Sequence, residues 1–253
     1  GDGGLVHSVG VEKVLAGPRD YDGRYTSLEI EWKGVRVRIE STASGDDWNA
    51  LVTPLSTHLT APALVVEGAV LWNRSVCVQR NDCELRFSSG LSIHVSGEPI
   101  QDPYVGCNGP TLAVKLDRPV SVGTAIVTPE NLRKQLDERR SELEQQWRAF
   151  GDEYELAEAM HTCVAWDTVY DPKHDRAISP VSRTWAVGHG GYVLFCWDTF
   201  FAAWMAAGKS PDLAAANAIE MLDEATEDGF VPNYAYATGQ RSRDRSQPPV
   251  GAL

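Results

Sequence analysis

Positive charge is scarce in this chain: 23 Lys and Arg stand against 35 Asp and Glu, a formal net charge of -12 at pH 7. That balance repels a nucleic-acid backbone and an anionic membrane surface, so neither is expected as a partner. A local exception is the group Arg241, Arg243 and Arg245, which suits a small anionic or hydroxylated ligand better than a duplex. Cysteine is also sparse. Cys77, Cys83, Cys107, Cys163 and Cys196 are odd in number and form no C-x-x-C pair. This disfavours a disulfide framework or a structural zinc site and fits reduced thiols in a cytoplasmic protein. There is no charged-then-apolar leader and no apolar run of roughly 18 residues. Gly188-His189-Gly190-Gly191 is not followed by GK[ST], so it is not a phosphate loop. His161, His174 and His189 match no common zinc spacing, so they read as loop or core histidines, with no metal and no organic cofactor expected.

What is present is a globular composition, 43% apolar and 23% charged over 253 residues, with eight tryptophans. Residues up to about 127 alternate as strands do. Leu28, Ile30 and Trp32 interleave with Ser27, Glu29 and Glu31; Lys33-Gly34 makes a turn; Val35, Val37 and Ile39 then interleave with Arg36, Arg38 and Glu40. The pattern returns at Val76 and Val78, at Leu85 and Phe87, and at Leu91, Ile93 and Val95, with further candidates over 64–72 and 111–116. Short strands broken by Gly, Pro and Asp predict an antiparallel β-sandwich over 1–127, its charges on a solvated face and no chemical constellation among them.

The period changes at Thr128, a suitable N-cap followed by Pro129 at the first helical position. Leu132, Leu136, Leu143, Trp147, Phe150, Tyr154 and Ala157 predict one long helix with a single apolar stripe, a linker helix over 128–160. Residues 166–191 read as a long irregular stretch. A helix is expected from about Phe195 to Ala207, with Trp197, Phe201, Trp204 and Met205 on one face and Gly208 ending it. Ser210 and Pro211 open another that Gly229 stops. Ala-rich helices with little exposed charge must pack on both sides, so more helices are implied.

Chemistry gathers in the last third. Cys196-Trp197-Asp198-Thr199-Phe200-Phe201 sets an indole beside a carboxylate, and Asn233, Arg245 and Gln247 add planar hydrogen-bonding groups on Pro-punctuated loops. Apolar faces bordered by such groups suit a sugar ring, with its C–H faces and hydroxyl edges. Read from spacing alone, Asp198 is equally a carboxylate favoured by a helix N-terminus, and Trp197 equally a core residue. Asp244, between Arg243 and Arg245, reads as an ion-paired loop residue whose pKa the arginines depress, which makes it a poor catalytic acid. Trp166-Asp167-Thr168 echoes Trp197-Asp198-Thr199 by chance.

Trp197-Asp198-Thr199-Phe200, Pro232-Asn233 and Arg245-Ser246-Gln247-Pro248-Pro249 resemble the first part of an (α/α)6-toroid glycoside hydrolase. Thr168-Val169-Tyr170-Asp171-Pro172, Pro180-Val181-Ser182-Arg183 and Gly190-Gly191-Tyr192-Val193-Leu194 point to the mannosylglycerate and glucosylglycerate hydrolase group, in the clan of glycoside hydrolase family 63 and trehalase. The resemblance covers about residues 160–253 and implies a β-sandwich followed by the first helices of an incomplete toroid, the domain over 161–253. It implies that Trp197 packs on a sugar ring and that Asp198, Asn233, Arg245 and Gln247 hold its hydroxyls, with Arg183 as a further candidate. It also implies an inverting mechanism on α-glycosidic bonds of small glycosides or oligosaccharides, with two carboxylates about 6.5–9.5 Å apart. In the family pattern that pair lies later than Leu253, so the catalytic residues are not expected within this sequence, which is expected to be inactive alone. Gly190 stands where trehalases carry arginine, so trehalose is a less suitable substrate. The alternatives are a trehalase, or a carbohydrate-binding or scaffolding homologue that lacks the acid/base pair.

Overall fold

A computed structural model describes residues 13–57, 62–68, 78–101, 111–171, 174–180 and 192–252. The chain divides into two compact units, one of Gly1–Pro18 and Asp22–Gln146, the other of Arg19–Tyr21 and Trp147–Leu253. The architecture is mixed, with a large antiparallel sheet and α-helices.

In the first unit, β1 (Lys13–Arg19), β2 (Thr26–Trp32), β3 (Val35–Ser44), β4 (Asp47–Thr57), β6 (Val78–Arg80), β7 (Glu84–Phe87), β8 (Ser92–Val95) and β10 (Val120–Gly123) form one eight-stranded sheet, in the order β1-β2-β3-β4-β10-β8-β7-β6. A separate ribbon pairs β5 (Ala63–Glu67) with β9 (Thr111–Lys115). The predicted turn between β2 and β3 forms: Lys33 (φ 46) and Gly34 (φ 81) both adopt the left-handed conformation of a tight hairpin, which sets Trp32 opposite Val35.

Alternation then decides the layers. Val52, Leu85, Phe87, Val95, Val120 and Val122 point from the large sheet into one apolar core, where Leu112 and Val114 of the ribbon meet them. On the opposite pleat lie Glu40 and Thr53, both bonded by Arg133 of α1 (Pro129–Arg148), whose Leu132 and Leu136 are fully buried. Thr128 caps α1 as expected, its Oγ1 accepting from the Asn131 N–H at 3.3 Å. Val76 and residues 69–72 of the expected strands lie outside the described residues.

The single long helix expected through Ala157 is two. α1 stops at Arg148, a 3₁₀ turn spans Gly151–Glu153, and α2 runs Tyr154–Asp167. Gly151 has φ +60, which a helix cannot accommodate, and the turn reorients the chain. The apolar spacing runs on through the break, which is why the stripe alone did not reveal it. Likewise the stretch expected to be irregular contains a hairpin, β11 (Val169–Asp171) with β12 (Arg176–Ile178), closed by Asp175 at φ 50. The second unit continues with β13 (Val193–Phe195), α3 (Cys196–Ala207), α4 (Pro211–Asp223) and β14 (Tyr234–Tyr236), the last paired with β13. Ser210 caps α4, its Oγ accepting from the Leu213 N–H at 3.3 Å. α4 ends at Asp223, and Gly229 (φ 83) belongs instead to the turn that follows. No helix among the described residues is long and apolar enough to cross a membrane.

The burial of α3 is the reverse of what its sequence suggests. Its inner face is Cys196, Thr199, Ala203 and Ala206, whereas Trp197, Phe201 and Trp204 are exposed and follow one another along the helix, with ring centroids 6.0 and 6.5 Å apart. Small residues let α3 approach its neighbours closely, and the large rings are left on the outside.

Candidate functional site

The amino end of α3 is where four of the sequence candidates, Trp197, Asp198, Asn233 and Gln247, come together. β13 delivers the chain to Cys196, whose N–H donates to the Asn233 carbonyl at 3.1 Å, just before β14. The Asn233 N–H in turn donates to Ser242 Oγ at 2.7 Å. Gln247 closes the other side, its Oε1 accepting the Trp197 N–H at 2.9 Å. The first N–H groups of a helix have no partner within it, so Gln247 acts as a remote cap from 50 positions away in sequence. That bond fixes the orientation of the amide: with its oxygen on the helix, its NH₂ is left to donate elsewhere. Gly251, further along the same segment, sits where any Cβ would lie 2.5 Å from the Phe200 ring, so the segment packs flat on α3.

Asp198 follows Trp197 and is half-buried. Burial pushes its carboxyl above the usual range, opposed by hydrogen bonds from its backbone and from the Trp197 side chain. Indole and carboxylate stand on adjacent positions of the first turn, with the Trp197 ring still 38% exposed. Arg245 behaves differently. Its guanidinium is committed to the adjacent Asp244 at 2.8 Å, and both side chains are about two-thirds exposed, 69% and 66%. Asp244 lies below the usual carboxylate range because of that neighbour. The structure thus joins Trp197, Asp198, Asn233 and Gln247 through α3 and its loops, and sets Arg245 on an exposed turn. Arg183 and His189 lie outside the described residues.

A second constellation went unnoticed in the sequence. A pocket of ≈ 350 Å³ is lined by Asp171, His174, Tyr192, Glu220, Glu224 and residues around β14. His174 Nδ1 lies 2.7 Å from Asp171 Oδ2 and 3.1 Å from Glu220 Oε1. Both partners are acceptors, so Nδ1 carries the hydrogen, and the two carboxylates raise the His174 pKa. Arg176 holds the other Glu220 oxygen at 3.1 Å and Asp223 at 2.9 Å. Burial and the neighbouring Asp171 carboxyl push Glu220 up despite His174, and burial drives Tyr192 to about 12. A signal was available: the inward positions of α4 are Leu213, Asn217, Glu220 and Met221, which puts an amide and an acid where core residues belong.

His161 is a core histidine, as its sequence suggests. It accepts the Trp147 indole N–H on Nδ1 at 3.1 Å and meets Tyr21 and Phe150 edge-on. Burial first, then Lys209, lowers its pKa to about 4. Compared with known proteins, the chain matches no family model and no curated relative.

Proposed function

We propose that the second unit forms the sugar-gripping wall of an inverting glycoside hydrolase of the (α/α)6-toroid kind, acting on α-glycosidic bonds of small glycosides or oligosaccharides. The observation that supports this reading is the convergence at α3. Two loop positions distant from α3 in sequence are bonded to its first turn, Gln247 to Trp197 and Asn233 to Cys196, and Ser242 in turn holds Asn233. The result is an accessible indole face beside a half-buried carboxylate, with an amide NH₂ free to donate. A sugar ring stacks its C–H face on Trp197, donates a hydroxyl to Asp198 and accepts from Gln247, which uses each group in the only polarity left to it. The acid and base that an inverting hydrolysis needs are assigned to no residue of this chain, and Asp244, held low by Arg245, is unsuited to donate a proton.

The test is binding. Methyl α-glucoside and methyl α-mannoside are titrated against the purified chain by saturation-transfer NMR. Saturable binding is expected, weakened about five- to tenfold by Trp197→Ala and by Asp198→Asn, each removing an interaction of about 1–1.5 kcal/mol. Absence of saturable binding, or binding unaltered in Trp197→Ala, removes the reading. A carbohydrate-binding homologue without acid/base groups shares the binding result. Exposure of Trp197 with Asp244 disabled as an acid favours it as the second reading, and it is separated by turnover of an aryl α-glycoside by the full-length protein. A trehalase is separated by a substrate panel containing trehalose.

A further inference from the structure

Asp171, His174 and Glu220 reach one point from three places: the end of β11, the turn that follows it, and the inward face of α4. One ligand atom from each, two oxygens and a nitrogen, lies within 4.8 Å of the others. An ion bound at about 2.0–2.2 Å from each donor needs them no more than about 4.4 Å apart, so the widest pair has at most a few tenths of an ångström to close.

Charge gives a second, independent argument. Asp171 is 5% and Glu220 2% exposed, and both carboxyls reach the same His174 nitrogen. Buried carboxylates in contact need a proton or a cation between them. In the ion-free protein the hydrogen on His174 Nδ1 fills that place, bridging both acids. Glu220 Oε2 is buried with no hydrogen-bond donor and has Arg176 as its ionic neighbour. Arg176 also serves Asp223, so it does not cancel both buried acids alone. The pocket beside the cluster supplies an entry path and room for water to complete a coordination sphere.

We propose that Asp171, His174 and Glu220 form a divalent-cation site on the wall of this pocket. A donor set of one imidazole and two carboxylates selects an ion that accepts nitrogen, Zn²⁺ or Mn²⁺, over the oxygen-seeking Ca²⁺ and Mg²⁺. The ion replaces the His174 hydrogen and ties the β11–β12 hairpin to α4. The site is independent of the sugar reading at the end of α3.

The experiment uses the purified chain after chelator treatment and dialysis, titrated calorimetrically with ZnCl₂, MnCl₂ and CaCl₂. One ion per chain is expected for Zn²⁺ or Mn²⁺, with Ca²⁺ at least about tenfold weaker and the melting temperature raised by the bound ion. His174→Ala and Asp171→Asn each weaken it at least about tenfold while Asp244→Asn leaves it unchanged, which separates the site from diffuse attraction to an acidic surface. His174→Ala changes a partly exposed turn residue, so its circular dichroism serves as the folding control, and the wild-type titration stands by itself. No binding to the wild type up to millimolar ion, or binding equal in His174→Ala and wild type, or a preference for Ca²⁺, overturns the proposal.

Discussion

Two glutamates, each 2% exposed, are handled in opposite ways by the two units. Glu40, in the β unit, meets donors: the Tyr25 hydroxyl at 2.9 Å on Oε1 and Arg133 at 2.5 Å on Oε2. Arg133 continues to Thr53 at 3.0 Å, and the network pins α1 to the sheet. Burial and Glu40 together push Tyr25 well above its ordinary pKa, so it stays a donor. Glu220, in the helical unit, meets His174 and Arg176 but also Asp171, a second acid. It lines a pocket, whereas Glu40 lies under a helix. A balanced buried acid is structure; an unbalanced one beside open space has capacity left for a ligand.

The sharpest way to break that comparison is to remove a partner from each. Arg133→Met leaves Glu40 buried without its cation and should cost about 3 kcal/mol in urea unfolding, the lower end of the range because Arg133 is itself 33% exposed. Glu220→Gln relieves a contact between acids while Arg176 keeps Asp223, so its cost should stay within about 1 kcal/mol. If the two changes cost the same, the distinction between pin and pocket fails.

Acid should sharpen the contrast between the units next. His161 is neutral in the fold, with its pKa lowered to about 4 from 6.5 by burial and Lys209, and with Asp20 opposing. The groups facing it are Trp147, Tyr21, Phe150, Lys209 and Asp20, and Lys209 is ion-paired to Asp20 at 2.7 Å. A depressed histidine contributes in full above 6.5. As pH falls from 6.5 towards 4, the unfolded chain takes up the proton that the folded chain refuses, and stability declines by about 1.4 kcal/mol per unit. The total reaches about 3 kcal/mol and levels off below 4. Helical ellipticity should track this loss, and in His161→Gln that share of the slope should vanish. An unchanged slope would move the cause elsewhere.

The β unit was the more legible in sequence because its signals are local. Alternation names a face, and Lys33-Gly34 names a turn, each within a few residues. The break at Gly151 escaped because helical spacing survives a 3₁₀ turn, and φ is not written in hydrophobicity. At the candidate site the residue types were readable but not their directions. Trp197 and Asp198 carry their own context, whereas Arg245 was drawn to the acid beside it, an interaction that its neighbour Asp244 had already announced. The Asp171, His174 and Glu220 cluster is long-range: His174 and Glu220 are 46 positions apart, and spacing rules for histidine are silent on that.

The smallest effect tests how much of the sugar reading is really helix capping. Gln247→Ala frees the Trp197 N–H at the start of α3, and water takes it, so the loss should be about 0.5–1 kcal/mol. Gln247→Glu keeps an acceptor for that N–H and adds negative charge where a helix N-terminus favours it, so stability should return to the wild-type level. It lacks the NH₂, however, and places an anion where a sugar hydroxyl needs a donor. If Gln247 serves the ligand as well as the helix, methyl glycoside binding stays weak in Gln247→Glu while its unfolding curve matches wild type. If binding recovers along with stability, the side chain acts as a cap alone, and Asp198 is the polar group of the helix end left to face a sugar.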